Sequence, residues 1–148
     1  MLYGTYTPTI DVQCRISIPS KFRSELGEQL IIVRQLKQNC LRIYSAEAWE
    51  RNISSLRSHM VRGSYENMLR AYYSRLVDVT PDSLGRVRIP KDLWESIGVD
   101  FDKEETKEIC VIGCREFGEI WRKTDMEIHT AEIDLDALDD EINGMLME

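Results

Sequence analysis

The sequence DVQCRISIPSKFRSELG, residues 11–27, decides the fold because the chain uses it a second time, as DSLGRVRIPKDLWESIG at residues 82–98. Each residue of the second copy lies 71 positions after its counterpart, as Asp82 lies after Asp11, with no gap. Aspartate, arginine, isoleucine, proline and glycine recur in place, and three further aligned positions are apolar in both copies. A repeat of this kind indicates two copies of one structural unit, so we expect a chain with two equivalent halves.

Each copy is expected to contain two short strands joined by a turn. The extended runs are residues 5–10 and 76–80, and the shorter alternating runs are residues 16–18 and 87–89. The aspartate between the two runs favours a turn, because its carboxylate accepts hydrogen bonds from backbone amides two residues further on. Proline then ends the second strand, since it has no amide to donate to a neighbouring strand.

A short helix and a hairpin are expected after each proline. Proline suits the first turn of a helix and glycine suits its C-terminal end, which predicts helices over residues 20–26 and 91–97. The hairpins are predicted from apolar runs that flank polar turns. Their strands are residues 30–35 and 41–44 in the first copy, and residues 108–114 and 119–121 in the second.

Further helices are expected between the copies and after the second one. Ser45 resembles a helix N-cap in front of an apolar pattern with helical spacing. Gly63 and Ser64 are expected to break this helix, and a second helix is predicted over residues 65–75. Residues 133–148 place apolar side chains at helical spacing among acids, which fits either a short amphipathic helix or a mobile tail.

The charge of the chain is unevenly distributed. The whole sequence of 148 residues carries a formal net charge of −7, which by itself argues against nucleic acid as a partner. No lysine or arginine follows Lys123, however, whereas nine of the 26 acidic residues do. Residues 1–123 therefore hold 17 acids against all 19 bases, so the body is slightly basic and only the tail is strongly acidic.

The sequence offers little for catalysis, metal binding or membrane association. No apolar run approaches the roughly 20 residues that cross a bilayer. The first residues lack the pattern of a secretory signal, so we expect a cytoplasmic protein with no membrane partner. Cys110 and Cys114 are a weak candidate for zinc, and reduced, packed thiols are the simpler interpretation of all four cysteines. Without a phosphate-binding loop or a histidine–carboxylate constellation, we expect no enzyme, no catalytic residue, no cofactor and no small-molecule substrate.

The repeated unit resembles the MraZ family of bacterial transcription regulators, whose members carry two SpoVT-AbrB motifs in one chain. The likeness covers about residues 1–126, including the opening YGTY at residues 3–6 and the aromatic pair at residues 72–73. The usual turn of this motif is Asp-x-x-Gly-Arg, which residues 82–86 match in full. The first copy has Cys14 where the glycine stands, and a cysteine is strained there if the position requires a positive φ.

The resemblance implies a fold, an assembly and a function. The implied fold is α+β, with tandem SpoVT-AbrB-type motifs that interlock into a pseudo-twofold β core, a swapped-hairpin barrel, with helices outside it. We place the first motif at residues 5–52, a helical connector at 53–75, the second motif at 76–126 and an acidic tail at 127–148. Similar proteins form ring-shaped homo-oligomers and bind repeated promoter elements of the division and cell-wall gene cluster, usually as repressors. Such a protein is associated with the nucleoid.

The resemblance also implies that the motif arginines contact DNA, and their chemistry suits that task. Arg15 and Arg86 stand at the same point of the two turns. An arginine has a permanent charge and a planar fork that bonds two phosphate oxygens or two acceptors on guanine. Asp11 and Asp82 are expected to orient the turns rather than to touch DNA, since phosphate repels a carboxylate. Candidates for weaker phosphate contacts, with a solvated surface position as the alternative, are Lys21, Arg23, Arg88 and Lys91.

Two functions from different classes remain open at this point. The first is sequence-specific binding of double-stranded promoter DNA by a ring of subunits, in which many weak arginine contacts act together. The alternative is a ring-forming interaction scaffold with weak or no DNA binding, which the acidic tail and Cys14 favour. An unaltered first turn together with tight DNA binding would count against the scaffold.

Overall fold

A computed structural model describes residues 1–147 and shows an α+β protein built from short elements. In chain order these are β1 (Thr5–Tyr6), β2 (Arg15–Ser17), α1 (Ser20–Leu26), β3 (Leu30–Arg34), β4 (Cys40–Ser45), α2 (Ala46–His59), α3 (Arg62–Tyr73), β5 (Leu76–Val79), β6 (Arg86–Arg88), α4 (Lys91–Ser96), β7 (Ile109–Gly113), β8 (Gly118–Arg122), α5 (Lys123–Ala131) and α6 (Leu135–Leu146). A 3-10 turn at Glu104–Lys107 precedes β7. None of the helices in this part of the chain combines the length and the apolar character that a membrane span requires.

Both sheets combine strands from the two copies. The larger sheet has the order β1-β7-β8-β4-β3-β5, while β2 pairs with β6 in a separate two-stranded ribbon, and every pair is antiparallel. The first-copy strands β1, β3 and β4 correspond to the second-copy strands β5, β7 and β8. Replacing each strand by its counterpart gives the same order read from the opposite edge of the sheet. The sheet therefore has the pseudo-twofold symmetry that the repeat implies.

The β2–β6 ribbon crosses the pseudo-twofold axis. Its residue pairs are Ile16 with Val87, Arg15 with Arg88, and Ser17 with Arg86. Ile16 and Val87 are 1% and 0% exposed and enter the core. Because alternate side chains of a strand point to opposite faces, the arginines lie on the outer face of the ribbon.

One large core cluster connects the ribbon, the sheet and the short helices. It includes Phe22 and Leu26 of α1, their counterparts Leu93 of α4 and Ile97 directly after α4, and Trp94. A smaller cluster around Trp49 lies where α2 and α3 pack against β3 and β4. The sheet is thus covered on one face by the ribbon and α1 and α4, and on the other by α2, α3 and α5.

The helices α1 and α4 and both hairpins form where the sequence predicts them, with bounds shifted by single residues. The extended run predicted at residues 5–10 is shorter, because Pro8 has no amide and only an isolated bridge from Thr9 to Glu108 continues β1. The ambiguous tail is helical over Leu135–Leu146, while Glu148 lies outside the described residues.

The predicted break between the two connector helices at Gly63 and Ser64 is wrong. The break lies at Met60 and Val61, whose ψ angles of 149° and 143° are extended. Gly63 and Ser64 instead occupy the first turn of α3, where amides lack helical partners in any case and these residues disturb a helix least.

Replacing Ile16 by alanine should lower the free energy of unfolding by about 2–5 kcal/mol, because the side chain is fully buried and its loss leaves a cavity. Urea unfolding at a fixed protein concentration, followed by tryptophan fluorescence, measures this change. The control is Val12→Ala, at a turn position that is 93% exposed, which should change stability by less than about 0.5 kcal/mol. Equal effects of the two substitutions would show that the ribbon is not anchored in the core.

Candidate nucleic-acid interface

The turn that leads into β2 is closed by the carboxylate of Asp11. Its Oδ1 accepts hydrogen bonds from the backbone amides of Gln13 and Arg15, both at 2.9 Å. Its Oδ2 accepts from Arg15 Nε at 2.8 Å. Backbone bonds from Asp11 N–H to the Arg15 carbonyl and from Cys14 N–H to the Asp11 carbonyl complete the turn. One side chain therefore fixes both the backbone and the arginine that follows it.

The turn that leads into β6 repeats this arrangement bond for bond. Asp82 Oδ1 accepts from the amides of Leu84 and Arg86, at 3.0 Å and 2.9 Å, and Oδ2 accepts from Arg86 Nε at 2.8 Å. The backbone bonds run from Asp82 N–H to the Arg86 carbonyl and from Gly85 N–H to the Asp82 carbonyl. The two turns place Arg15 and Arg86 in equivalent positions on either side of the pseudo-twofold axis.

These contacts lower the pKa of both aspartates. At Asp11 burial acts to raise the pKa, but the hydrogen bonds from Arg15 and Gln13 outweigh it. At Asp82 the hydrogen bond from the Arg86 amide is the largest cause of the lowered pKa. Both carboxylates are therefore ionised at neutral pH and hold the arginine side chains against their turns.

Cys14 adopts the same left-handed backbone conformation as its counterpart Gly85. The two φ angles are +63° and +77°, and a side chain is strained there by roughly 1–2 kcal/mol. The Cys14 carbonyl accepts hydrogen bonds from Ile89 N–H and from Trp94 Nε1, both at 3.1 Å. These contacts hold the strained residue in place, so the first turn keeps the geometry of the second despite the missing glycine.

Arg23 is the counterpart of Trp94 in the repeat, and it packs against the second turn as Trp94 packs against the first. A Cβ atom added to Gly85 would lie 2.6 Å from Arg23 Cζ, so the guanidinium packs directly on the glycine. Arg23 Nε is buried and has no hydrogen-bond partner in residues 1–147. The structure therefore places Arg23 beside the second arginine turn, in a packed position.

Arg15 and Arg88 lie directly opposite each other on the outer face of the ribbon. The hydrogen bonds from Ile89 to Cys14 and from Ile18 to Gly85 make this a non-hydrogen-bonded pair, in which opposite side chains approach most closely. Like charges in such a pair destabilise a sheet. The nearest compensation for Arg15 comes from Asp11 and, at 3.9 Å from its Nη1, from Asp82.

Arg88 has a neutral partner. Its Nη2 donates to Gln13 Oε1 at 2.8 Å, and it forms no salt bridge with any residue in the described part of the chain. Sequence reasoning missed Gln13, because its counterpart in the repeat is Leu84 and no shared pattern marks it. An exposed arginine without an acidic partner can bind an anion.

The two lysine candidates make their described contacts away from the arginine turns. Lys21 Nζ lies 3.3 Å from the centre of the Tyr3 ring, and Lys91 Nζ lies 5.6 Å from the centre of the Phe101 ring. Both lysines are exposed. The structure thus brings together Arg15, Arg86, Arg88 and, against the second turn, Arg23.

The cysteines are not arranged for metal binding or thiol chemistry. Among residues 1–147, no three histidine, cysteine, aspartate or glutamate side chains lie close enough together to hold a metal ion. Burial raises the pKa of Cys40 to about 12 and also raises the pKa of Cys110 and Cys114. These three thiols are therefore protonated at neutral pH, unlike a nucleophilic cysteine.

The chain is similar to known proteins along nearly its whole length. A family model described as "MraZ protein, putative antitoxin-like" matches residues 1–70. The chain is 33% identical to "Transcriptional regulator MraZ" of Acetivibrio thermocellus, over 93% of this chain and 92% of the relative. Its identity to the protein of the same name from Alkaliphilus oremlandii is 34%, over 100% of this chain and 98% of the relative.

Replacing Gly85 by alanine should lower the free energy of unfolding by about 1–2 kcal/mol, because the new Cβ is strained at a positive φ and also meets the Arg23 guanidinium. Urea unfolding measures the change. Cys14→Ala is the matched control, since that position already holds a residue with a Cβ, and its smaller loss should reflect only the missing sulfur. A larger loss at Cys14 than at Gly85 would contradict the equivalence of the two turns.

Proposed function

The chain belongs to the MraZ family, and from that premise we propose that it is a DNA-binding transcriptional regulator. In this proposal the outer face of the β2–β6 ribbon contacts double-stranded promoter DNA, and no catalysis is involved. The observation that carries the proposal is the pair of opposed arginines, Arg15 and Arg88, on a face where Arg88 has no acidic partner among residues 1–147. Asp11 and Asp82 offset the charge of Arg15, and a phosphate backbone would do the same for Arg88.

The shape of the ribbon supports this assignment. The major groove of B-DNA, about 12 Å wide, admits a two-stranded β-ribbon. Arg15 and Arg86 are 19% and 31% exposed, and the aspartates hold their Nε atoms. Within residues 1–147, the terminal nitrogens of Arg86 make no hydrogen bond. Those nitrogens are free for phosphate oxygens or guanine acceptors, and an arginine that is already oriented loses little side-chain entropy on binding.

The remaining basic residues receive secondary roles in the proposal. Arg88 contacts phosphate or a base edge together with Gln13, and Arg23 supports the second turn and contributes charge beside it. Lys21 and Lys91 add weaker phosphate contacts at the edges of the bound DNA. Asp11 and Asp82 orient the arginines and do not touch DNA.

The finer features of the assembly belong to the same proposal. We propose that the strand exchange between the copies is the swapped-hairpin arrangement of SpoVT-AbrB proteins, and that copies of the chain close into a ring. The ring presents its arginine turns to repeated promoter elements of the division and cell-wall gene cluster, where it acts as a repressor at the nucleoid. Many weak contacts then combine into one stable complex.

The alternative function is a ring-forming interaction scaffold with weak or no DNA binding. One observation favours it, the apolar side of α6, whose residues are exposed in the described structure. Cys14 no longer favours it, because the first turn matches the second. DNA binding therefore remains the function that the ribbon geometry supports best.

The double substitution Arg15→Ala with Arg86→Ala should abolish a gel shift on a duplex from the protein's own promoter, while the native mass of the assembly stays unchanged. The physical reason is the loss of the oriented charges at both turns. Binding by the unaltered protein should weaken steeply with salt, because each neutralised phosphate makes the slope of log affinity against log salt more negative by about 0.9.

A matched control separates this effect from the loss of charge alone. Arg57→Ala with Arg62→Ala also removes two positive charges, from exposed positions on α2 and α3, and should leave the gel shift nearly intact. Undiminished binding by the Arg15 and Arg86 double variant would overturn the ribbon assignment. Equal weakening by both double variants would reduce it to a general charge effect.

A further inference from the structure

The first half of the sheet is covered by two helices that follow its hairpin, and the second half is covered by one. The helix α2 follows β4 and packs on the hairpin, and α5 follows β8 in the same way. The helix α3 then packs beside α2, where Tyr72 meets Trp49 edge-on with ring centres 6.0 Å apart. Met68 of α3 is buried in this contact. No helix in residues 1–147 occupies the corresponding place beside α5.

An apolar groove of about 410 Å³ lies at that corresponding place. Cys110 of β7 lines it, together with Met126, Thr130 and Ala131 of α5 and the side chain of Thr7. The strand register makes Cys110 the counterpart of Ile31, since Ile112 pairs with Thr5 as Val33 pairs with Leu76. Ile31 packs in the cluster under α2 and α3. The groove is therefore the pseudo-symmetric counterpart of the site that α3 fills.

The helix α6 has the length and the apolar side that a helix in this groove would need. It is 12 residues long, as α3 is, and every residue from Ala131 to Leu146 is exposed. Its apolar residues recur at helical spacing and form one stripe, which consists of Leu135, Leu138, Ile142, Met145 and Leu146. A contiguous stripe of this kind differs from singly scattered exposed side chains and marks a contact surface.

The connection between α5 and α6 keeps α6 out of the groove of its own chain. The amides of Glu132 and Ile133 donate to carbonyls of the last turn of α5, at Ile128, His129 and Thr130. Asp134 then caps α6 by accepting from the Ala137 amide at 3.0 Å. Folding α6 back into the groove would require the connection to leave this hydrogen-bonded conformation, so the geometry favours an occupant of matching shape from another molecule.

We propose that α6 of one chain fills the groove beside α5 of a second copy, as α3 fills the site beside α2 within one chain. Lys123 and Glu127 border the groove, and Lys123 offers a cation to an arm whose charged residues are all acidic. Exchange of an arm from each copy to the next is a head-to-tail contact, which closes a ring if the rotation closes. This contact rests on the ring assembly in the proposed function, and α6 and the groove beside α5 are the two surfaces that join neighbouring chains.

Disulfide trapping between two distinguishable chains tests the contact directly. One chain carries Ile142→Cys together with Cys110→Ser, and the other, with a different tag, keeps Cys110 and the natural α6. Oxidation of the mixed, full-length assembly should give a covalent dimer of the two chains, in which peptide mass identifies a disulfide from the introduced cysteine to Cys110. Asp140→Cys in place of Ile142→Cys is the control, because position 140 lies opposite the apolar stripe, and it should give no such dimer.

A second measurement keeps the inference falsifiable where trapping fails for geometric reasons. Leu138→Glu with Ile142→Glu should lower the native mass of the assembly, whereas Ala137→Glu with Gly144→Glu adds the same charge on the opposite side and should not. No cross-chain link together with an unchanged mass overturns the inference but leaves the ring and the DNA assignment standing. A monomeric unaltered protein overturns the ring as well. In a third chain that carries Ile142→Cys and keeps Cys110, a link formed only within that chain assigns the groove to the chain's own α6 and also overturns the inference.

Discussion

The pairing of β2 with β6 is the interaction on which both the core and the candidate interface depend. It joins the two copies at the pseudo-twofold axis, where Ile16 and Val87 turn inward and are fully buried. The same alternation turns Arg15 and Arg88 outward on the opposite face. Burial on one side therefore fixes the position of charge on the other, and a shift of register by one residue would exchange the two faces. The position of the proposed DNA-binding surface therefore follows from how the core is closed.

The ribbon also concentrates features that oppose folding. Two arginines lie opposite each other, a cysteine occupies a left-handed turn position, and an arginine nitrogen is buried at Arg23 without a partner in residues 1–147. Local rules of this kind are broken mainly at functional sites, where the rest of the structure compensates. Here the compensation is visible, since Asp11 and Asp82 neutralise the turn arginines and Trp94 holds the Cys14 carbonyl. In the proposed function, an anion bound at this face would offset the repulsion that remains between Arg15 and Arg88.

The repeat made the turns, the short helices and the hairpins predictable from sequence, because each element was marked twice in matching positions. Features that occur in one copy only had weaker signals in the sequence. Gln13 was missed, because its counterpart is Leu84, and Arg23 was named only as a candidate for phosphate contact, whereas the structure packs its guanidinium against Gly85. The helix break at Met60 and Val61 has no glycine or proline to mark it, and backbone conformation alone defines it. The pairing of strands from different copies could not be predicted from sequence, because it depends on contacts between residues far apart in the chain.

The two copies are alike at the aspartate–arginine turns and differ in the helices that follow the hairpins. The aspartate-clamped turns are preserved bond for bond, even where Cys14 replaces a glycine, which argues that both halves serve the same ligand. The helices behind the hairpins have diverged, since α3 covers its own half while α6 extends from the other with its apolar side uncovered. In the first half α3 fills the place beside α2, whereas in the second half the groove beside α5 is open. The chain therefore has one helix, α6, with an exposed apolar side and one apolar groove of matching position. In the proposed assembly this pair joins identical chains head to tail, so the difference between the two halves of one chain supplies the contact between chains.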